Sequence, residues 1–126
     1  SPIVIAGLPG QYINDVTFSN FKISYPGRGS KMIAYVALDK LDSIPEQPAQ
    51  YPEFSQFKEL PAWGIYVRHA KNLNFSNLHL TAEKKDYRLP IIMDDVHGAQ
   101  LKKVTFEQID QKKLLYTQKS TNIKVD

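Results

Sequence analysis

The residues with the most chemical potential in this chain sit close together. Arg68 adjoins His69, Asp94-Asp95 precedes His97-Gly98, and Trp63 and Tyr66 lie just before Arg68. A histidine oriented by a carboxylate is the usual general base. An aromatic face can stack on the C–H surface of a pyranose, and a guanidinium can pair bidentately with a uronate carboxylate. Trp63, Tyr66 and Arg68 are therefore the candidate carbohydrate-binding residues. The competing reading has Trp63 anchor the proline-rich excursion back on the coil; it weighs equally for Trp63 and more for Tyr66. Asp94-Asp95 also reads as a strand cap and His97-Gly98 as a corner. His79 takes an outward strand position and His97 a turn, which sets the three histidines apart in chain position and face and argues against a metal site. No cofactor is expected. The glycines follow no phosphate-loop spacing and read as turns.

The elements that must carry these residues are short strands. Val16 and Phe18 alternate with Thr17 and Ser19, and Leu73 and Phe75 with Asn74 and Ser76, a period close to two. Asp15–Ile23 reappears as Asn72–Leu80, at an offset of 57, with Phe-Ser-Asn identical. Ile65–Ala70 laid over Ile91–Val96 gives a further copy at an offset of 26. Matching Val16-Thr-Phe18 to Val104-Thr-Phe106 is a rival register, but it loses the Ile65/Ile91 match. Leu115-Tyr-Thr117 and Asn122–Val125 suggest a ragged last copy, offset by 24.

A repeat of this length holding two or three strands predicts stacked β-coils, one repeat per rung. The expected fold is all-β, a parallel β-helix of about four coils treated as a single unit over 1–126. Ile3/Ile65/Ile91/Leu115, Ile5/Val67/Met93, Phe18/Phe75/Leu101 and Ile23/Leu80/Phe106 should form inward stacks, spaced by the ~4.8 Å between strands. Asn20 and Asn77 fall at equivalent turns and should form an asparagine ladder that stops at Lys103. In the 26-residue register Arg68 lies over Asp94 and His69 over Asp95. The first pair is expected to point outward as an exposed bridge worth ~0–1 kcal/mol. Residues 25–63 interrupt the rhythm with several prolines. They read as an inserted excursion, with a short helix over 31–41 and the aromatics Tyr51, Phe54 and Phe57, that packs as an ordered lid.

Composition narrows the class. The chain has 126 residues, 42% hydrophobic and 23% charged, with no cysteine and a net charge of +3. That describes one globular domain without disulfides or thiol chemistry. The basic residues are scattered, so nucleic acid is not an expected partner. No apolar run approaches the ~20 residues of a membrane span, and Ser1–Ile5 lacks the features of a signal peptide. The open edge at Ile3-Val-Ile5 predicts end-to-end self-association.

Pro2–Gly10, Tyr51-Pro-Glu-Phe54, Leu60-Pro-Ala-Trp-Gly64, Val67-Arg-His69 and Met93-Asp-Asp-Val96 together resemble the C-terminal coils of bacterial polygalacturonase-like proteins, glycoside hydrolase family 28. The resemblance spans nearly the whole chain. It implies a right-handed parallel β-helix, a longer parent protein, an extracytoplasmic location and a galacturonan-like acidic polysaccharide as substrate. Inverting hydrolysis needs an acid and a base carboxylate ~6.5–9.5 Å apart, which that family supplies from successive coils. Here the family's Asn-Thr-Asp and Arg-x-Lys patterns are missing. Asp94-Asp95 and His97-Gly98 stand two residues apart, not one coil apart. No catalytic residue is carried over, and the chain alone is expected to be inactive. A non-catalytic carbohydrate-binding or structural module is the alternative.

Overall fold

A computed structural model of the chain describes residues 2–26, 38–44, 46 and 60–126. It is all-β. Seven strands, β1 Ile3–Ala6, β2 Ile13–Asn14, β3 Thr17–Tyr25, β4 Ala62–Ala82, β5 Leu89–Glu107, β6 Leu115–Gln118 and β7 Thr121–Val125, join one sheet. All their pairings are parallel. β1, β2 and β3 lie along β4, β4 lies along β5, and β5 carries β6 and β7 on its other side. Four layers of chain are thus laid edge to edge.

The register is the one the repeats predict. Phe18 pairs with Phe75 and Ile23 with Leu80, at the offset of 57. Ile65 pairs with Ile91 and Leu78 with Val104, at the offset of 26, so the rival alignment is not adopted. Ile91 pairs with Leu115 and Leu101 with Val125, at the offset of 24. Alternation explains why these registers hold. Slipping by one residue would turn each inward side chain to the other face. Ile65, Val67, Leu73, Phe75, Leu78 and Leu80 of β4 meet Ile91, Met93, Val96 and Leu101 of β5 in one buried cluster. Against it Phe18 stacks on Phe75 with centroids 5.8 Å apart and planes 5° from parallel. Among the described residues β1 is paired on one side only, and Val4 and Phe21 of the first layer are exposed.

β4 and β5 are too long to run straight. Both bend where a residue takes positive φ, and the bends align between layers. His69, Asp95 and Lys119 (φ 56°, 56° and 51°) form one corner column. Asp15, Asn72, Gly98 and Asn122 form a second. Asn20, Asn77 and Lys103 (φ 62°, 55° and 53°) form the third. A left-handed conformation costs a side-chain-bearing residue roughly 1–2 kcal/mol, least for Asn and Asp. That preference accounts for most of the asparagines and aspartates in these columns. Asp94-Asp95 and His97-Gly98 accordingly lie inside β5, with corners at Asp95 and Gly98.

Two interruptions matter for the site. The pairing offset is 62 at Ile3↔Ile65 but 57 at Ile13↔Ala70, so the first layer carries extra residues between them. This loop leaves at Gly7, where a Cβ would stand 2.6 Å from the His69 carbonyl oxygen, and it delivers Tyr12 above the first corner. The second interruption is the excursion expected over 25–63, narrower at both ends because Tyr25 closes β3 and Ala62 and Trp63 open β4. Its described part includes a 3₁₀ segment, Leu38–Ser43, kinked at Lys40. The expected helix over 31–41 is seen only in that segment, since 31–37 fall outside the described residues, as do Tyr51, Phe54 and Phe57. Leu41 and Ile44 pack on the outward face of the sheet against Tyr66, Leu89 and Ile92, forming a second apolar cluster.

Candidate functional site

The candidate site is the first corner column and the face beside it. Asp95 is its centre. Its Oδ2 lies 2.7 Å from His69 Nδ1, and its Oδ1 lies 2.7 Å from His97 Nε2 and accepts the Tyr12 hydroxyl at 3.0 Å. Burial works against the charged carboxylate, but the hydrogen bonds from His69, His97 and Tyr12 outweigh it and hold Asp95 below the usual aspartate range. The hydrogen bond to Asp95 in turn pushes the Tyr12 phenol up. Lys71 stands over the Tyr12 ring, 4.4 Å from its centroid.

His69 faces a second carboxylate on its other nitrogen. Nε2 lies 3.0 Å from both oxygens of Glu46, from the excursion. Burial disfavours the imidazolium, yet the bonds to Asp95 and Glu46 more than compensate and raise its pKa. His97 closes the other side with Nδ1 2.8 Å from the Thr121 hydroxyl. The separation of all three histidines expected from their spacing is corrected here. The corner brings His69 and His97 onto one carboxylate, because residues two apart across a bend can turn to the same side. His79 does stand elsewhere, 2.7 Å from Thr105 Oγ1.

Arg68 pairs with Asp94 as the register requires, Nε to Oδ2 at 3.2 Å. The exposure expected for this pair is corrected. The Arg68 and Asp94 side chains are only 10% and 3% exposed, because Leu41 and Ile44 pack on this face and Glu46 reaches Arg68. Arg68 Nη1 donates to the Ile44 carbonyl at 2.7 Å, and Nη2 lies 3.5 Å from Glu46. A buried pair is costly to break from one side, since the survivor is left charged and dry.

The other sugar-binding candidates are buried as well. Trp63 is 1% exposed and points into the inner cluster. Its indole N–H donates to Gln108 at 2.7 Å, and Tyr25 meets the ring edge-on. Gln108 extends this contact by donating to the carbonyls of Asp86 and Arg88. Tyr66 is fully buried beneath Leu41 and Ile44, and burial raises its pKa. Arg68 and Tyr66 thus share one outward face while Trp63 turns inward, as strand alternation dictates.

Tyr12 and Glu46 are the site residues that sequence reasoning missed. Both come from non-repeating segments, so no periodicity marked them. Among the described residues, no group of three or more His, Asp or Glu side chains is arranged to hold a metal ion. No described helix is long and apolar enough to cross a membrane. Compared with models of protein families, with curated proteins and with solved structures, the chain matches none.

Proposed function

We propose that these layers are coils of a right-handed parallel β-helix and form the C-terminal part of a polygalacturonase-like glycoside hydrolase. Its substrate would be a pectic or related acidic polysaccharide, and it would act outside the cytoplasm. The observation behind this reading is the register: layers paired in parallel at offsets of 26 and 24, with their corners in columns. Of the motifs that resemble the hydrolase family, Val67-Arg-His69 and Met93-Asp-Asp-Val96 lie side by side on this frame.

Within such a parent the chain's role is positioning rather than bond cleavage. Inversion needs two carboxylates with room between them for water and the glycosidic oxygen. Here the His69 imidazole fills the space between Asp95 and Glu46 and binds both. Asp95 commits its two oxygens to His69, His97 and Tyr12. These groups hold Glu46 on the outer face instead. Intact mass of the protein from its source cells tests this reading. A mass several times 14.4 kDa, with galacturonan cleaved by that product and not by this chain, is expected. A product of 14.4 kDa, or cleavage by this chain that Asp95→Asn abolishes, would overturn it.

One observation favours the alternative, a carbohydrate-binding module without catalysis. An open groove along the second corner column is lined by Asn72, Asn74, Gly98, Gln100, Asn122 and Lys124. Amides and an ammonium suit an acidic sugar. Binding of oligogalacturonate to the isolated chain, lost in Lys124→Glu, would select this reading.

A further inference from the structure

The arrangement around His69 has a proton count that its surroundings impose. Nδ1 faces a carboxylate oxygen of Asp95 at 2.7 Å, and Nε2 faces both carboxylate oxygens of Glu46 at 3.0 Å. An ionised carboxylate only accepts hydrogen bonds. Both ring nitrogens must therefore carry protons, which only the imidazolium does. A neutral ring has one N–H and would turn a lone pair toward one of the two carboxylates. His97 differs although it shares Asp95. Its other nitrogen faces the Thr121 hydroxyl, which donates or accepts as needed, so a neutral His97 satisfies both contacts.

We propose that His69 is a proton-operated clasp: protonated, it ties Glu46 to the Asp95 corner, and deprotonated, it releases Glu46. The Asp95 arm is the one kept on deprotonation. It is shorter, and Asp95 is itself fixed by His97 and Tyr12, whereas Glu46 is 35% exposed and keeps only Arg68 Nη2 at 3.5 Å, a guanidinium already engaged by Asp94 and the Ile44 carbonyl, so its carboxylate can turn to water. Leu41, Asp42 and Ile44 stay docked. Leu41 and Ile44 are buried, Arg68 holds the Ile44 carbonyl, and Asp42 meets Lys119 and Gln118 of the last layer. Release is thus local to Glu46.

Charged and titratable groups reach this corner from every layer. From the excursion come Glu46 and Asp42; from β4, Arg68 and Lys71; from β5, Asp94, Asp95 and His97; from the first layer, Tyr12; from the last, Lys119. Burial and the Arg68 guanidinium oppose the imidazolium, and the carboxylates of Asp95 and Glu46 favour it. The balance leaves His69 protonated to higher pH than an isolated histidine. The clasp does not depend on whether the layers belong to a hydrolase, so it extends the functional reading without resting on it.

Imidazole NMR titration of the intact chain, with amide relaxation at Ile44 and Glu46, tests the clasp. His69 should titrate above the ordinary 6.5. Across that titration the order parameter at Glu46 should fall from a rigid value of about 0.8 toward about 0.6, while that at Ile44 holds. Glu46→Gln alters a partly exposed side chain and should leave the fold intact. It should shift the His69 pKa down and remove the pH dependence at position 46. His97→Gln should leave that pH dependence in place. A His69 pKa at or below 6.5, or one that Glu46→Gln leaves unmoved, overturns the clasp. So does an order parameter at Glu46 that ignores the His69 titration.

Discussion

Two of the corner columns solve the same backbone problem with different side chains. At Asn20, Asn77 and Lys103 the chain bends through positive φ, and the cross-layer bond there is an amide pair, Asn77 Nδ2 to Asn20 Oδ1 at 2.8 Å, exposed to water. At His69, Asp95 and Lys119 the same bend carries ionisable groups, and two non-repeating segments converge on it. A left-handed corner therefore sets where a side chain stands, not what it does. The amide column needs nothing beyond its neighbours above and below. The ionisable column gains its properties from Tyr12 and Glu46, which lie outside the repeat.

The sharpest way to break this contrast is Arg68→Ala, beside the ionisable corner. It would leave the Asp94 carboxylate buried without its partner and should cost about 3–5 kcal/mol, read as a lower urea midpoint. A loss below about 1 kcal/mol would mean that Leu41 and Ile44 do not keep the pair dry.

Asp95→Asn should cost less, about 1–3 kcal/mol near pH 5, because its environment is only partly buried. Its pH signature is more telling than its size. The folded pKa of Asp95 is lowered, so its contribution is present above the ordinary 3.8 and is lost as pH falls through the folded value. The folded pKa of His69 is raised, so its contribution is complete below the ordinary 6.5 and is lost as pH rises through the folded value. The wild type should therefore lose stability on both sides of a window within roughly pH 4–6.5. Asp95→Asn should flatten both limbs. An unchanged pH profile in thermal melts would separate the corner from the protein's titration.

Changes at the amide column should be smallest. Asn77→Ala forfeits one exposed hydrogen bond and puts alanine at φ 55°, for about 1–2 kcal/mol. Asn77→Gly relieves the dihedral and should fall within about 1 kcal/mol of wild type. Neither should alter the pH profile. If Asn77→Gly proves as costly as Asn77→Ala, the ladder bond rather than the backbone governs that corner.

Recurrence along the chain was enough to set the parallel registers, the inward stacks and the asparagine ladder. Each rests on an apolar or amide position returning at a fixed offset, and burying one face of a strand penalises any slip from that offset. The same recurrence put Arg68 over Asp94 and His69 over Asp95. What those pairs are worth is a matter of packing that no repeat encodes. Leu41 and Ile44 dry the Arg68–Asp94 pair, Glu46 supplies the second carboxylate to His69, and Tyr12 and His97 complete the shell of Asp95. Except for His97, these groups come from a loop and an excursion whose residues recur nowhere. Contacts made by a segment used once leave no period in the chain. They exist because the fold carries those segments across to a face that the repeats had already built.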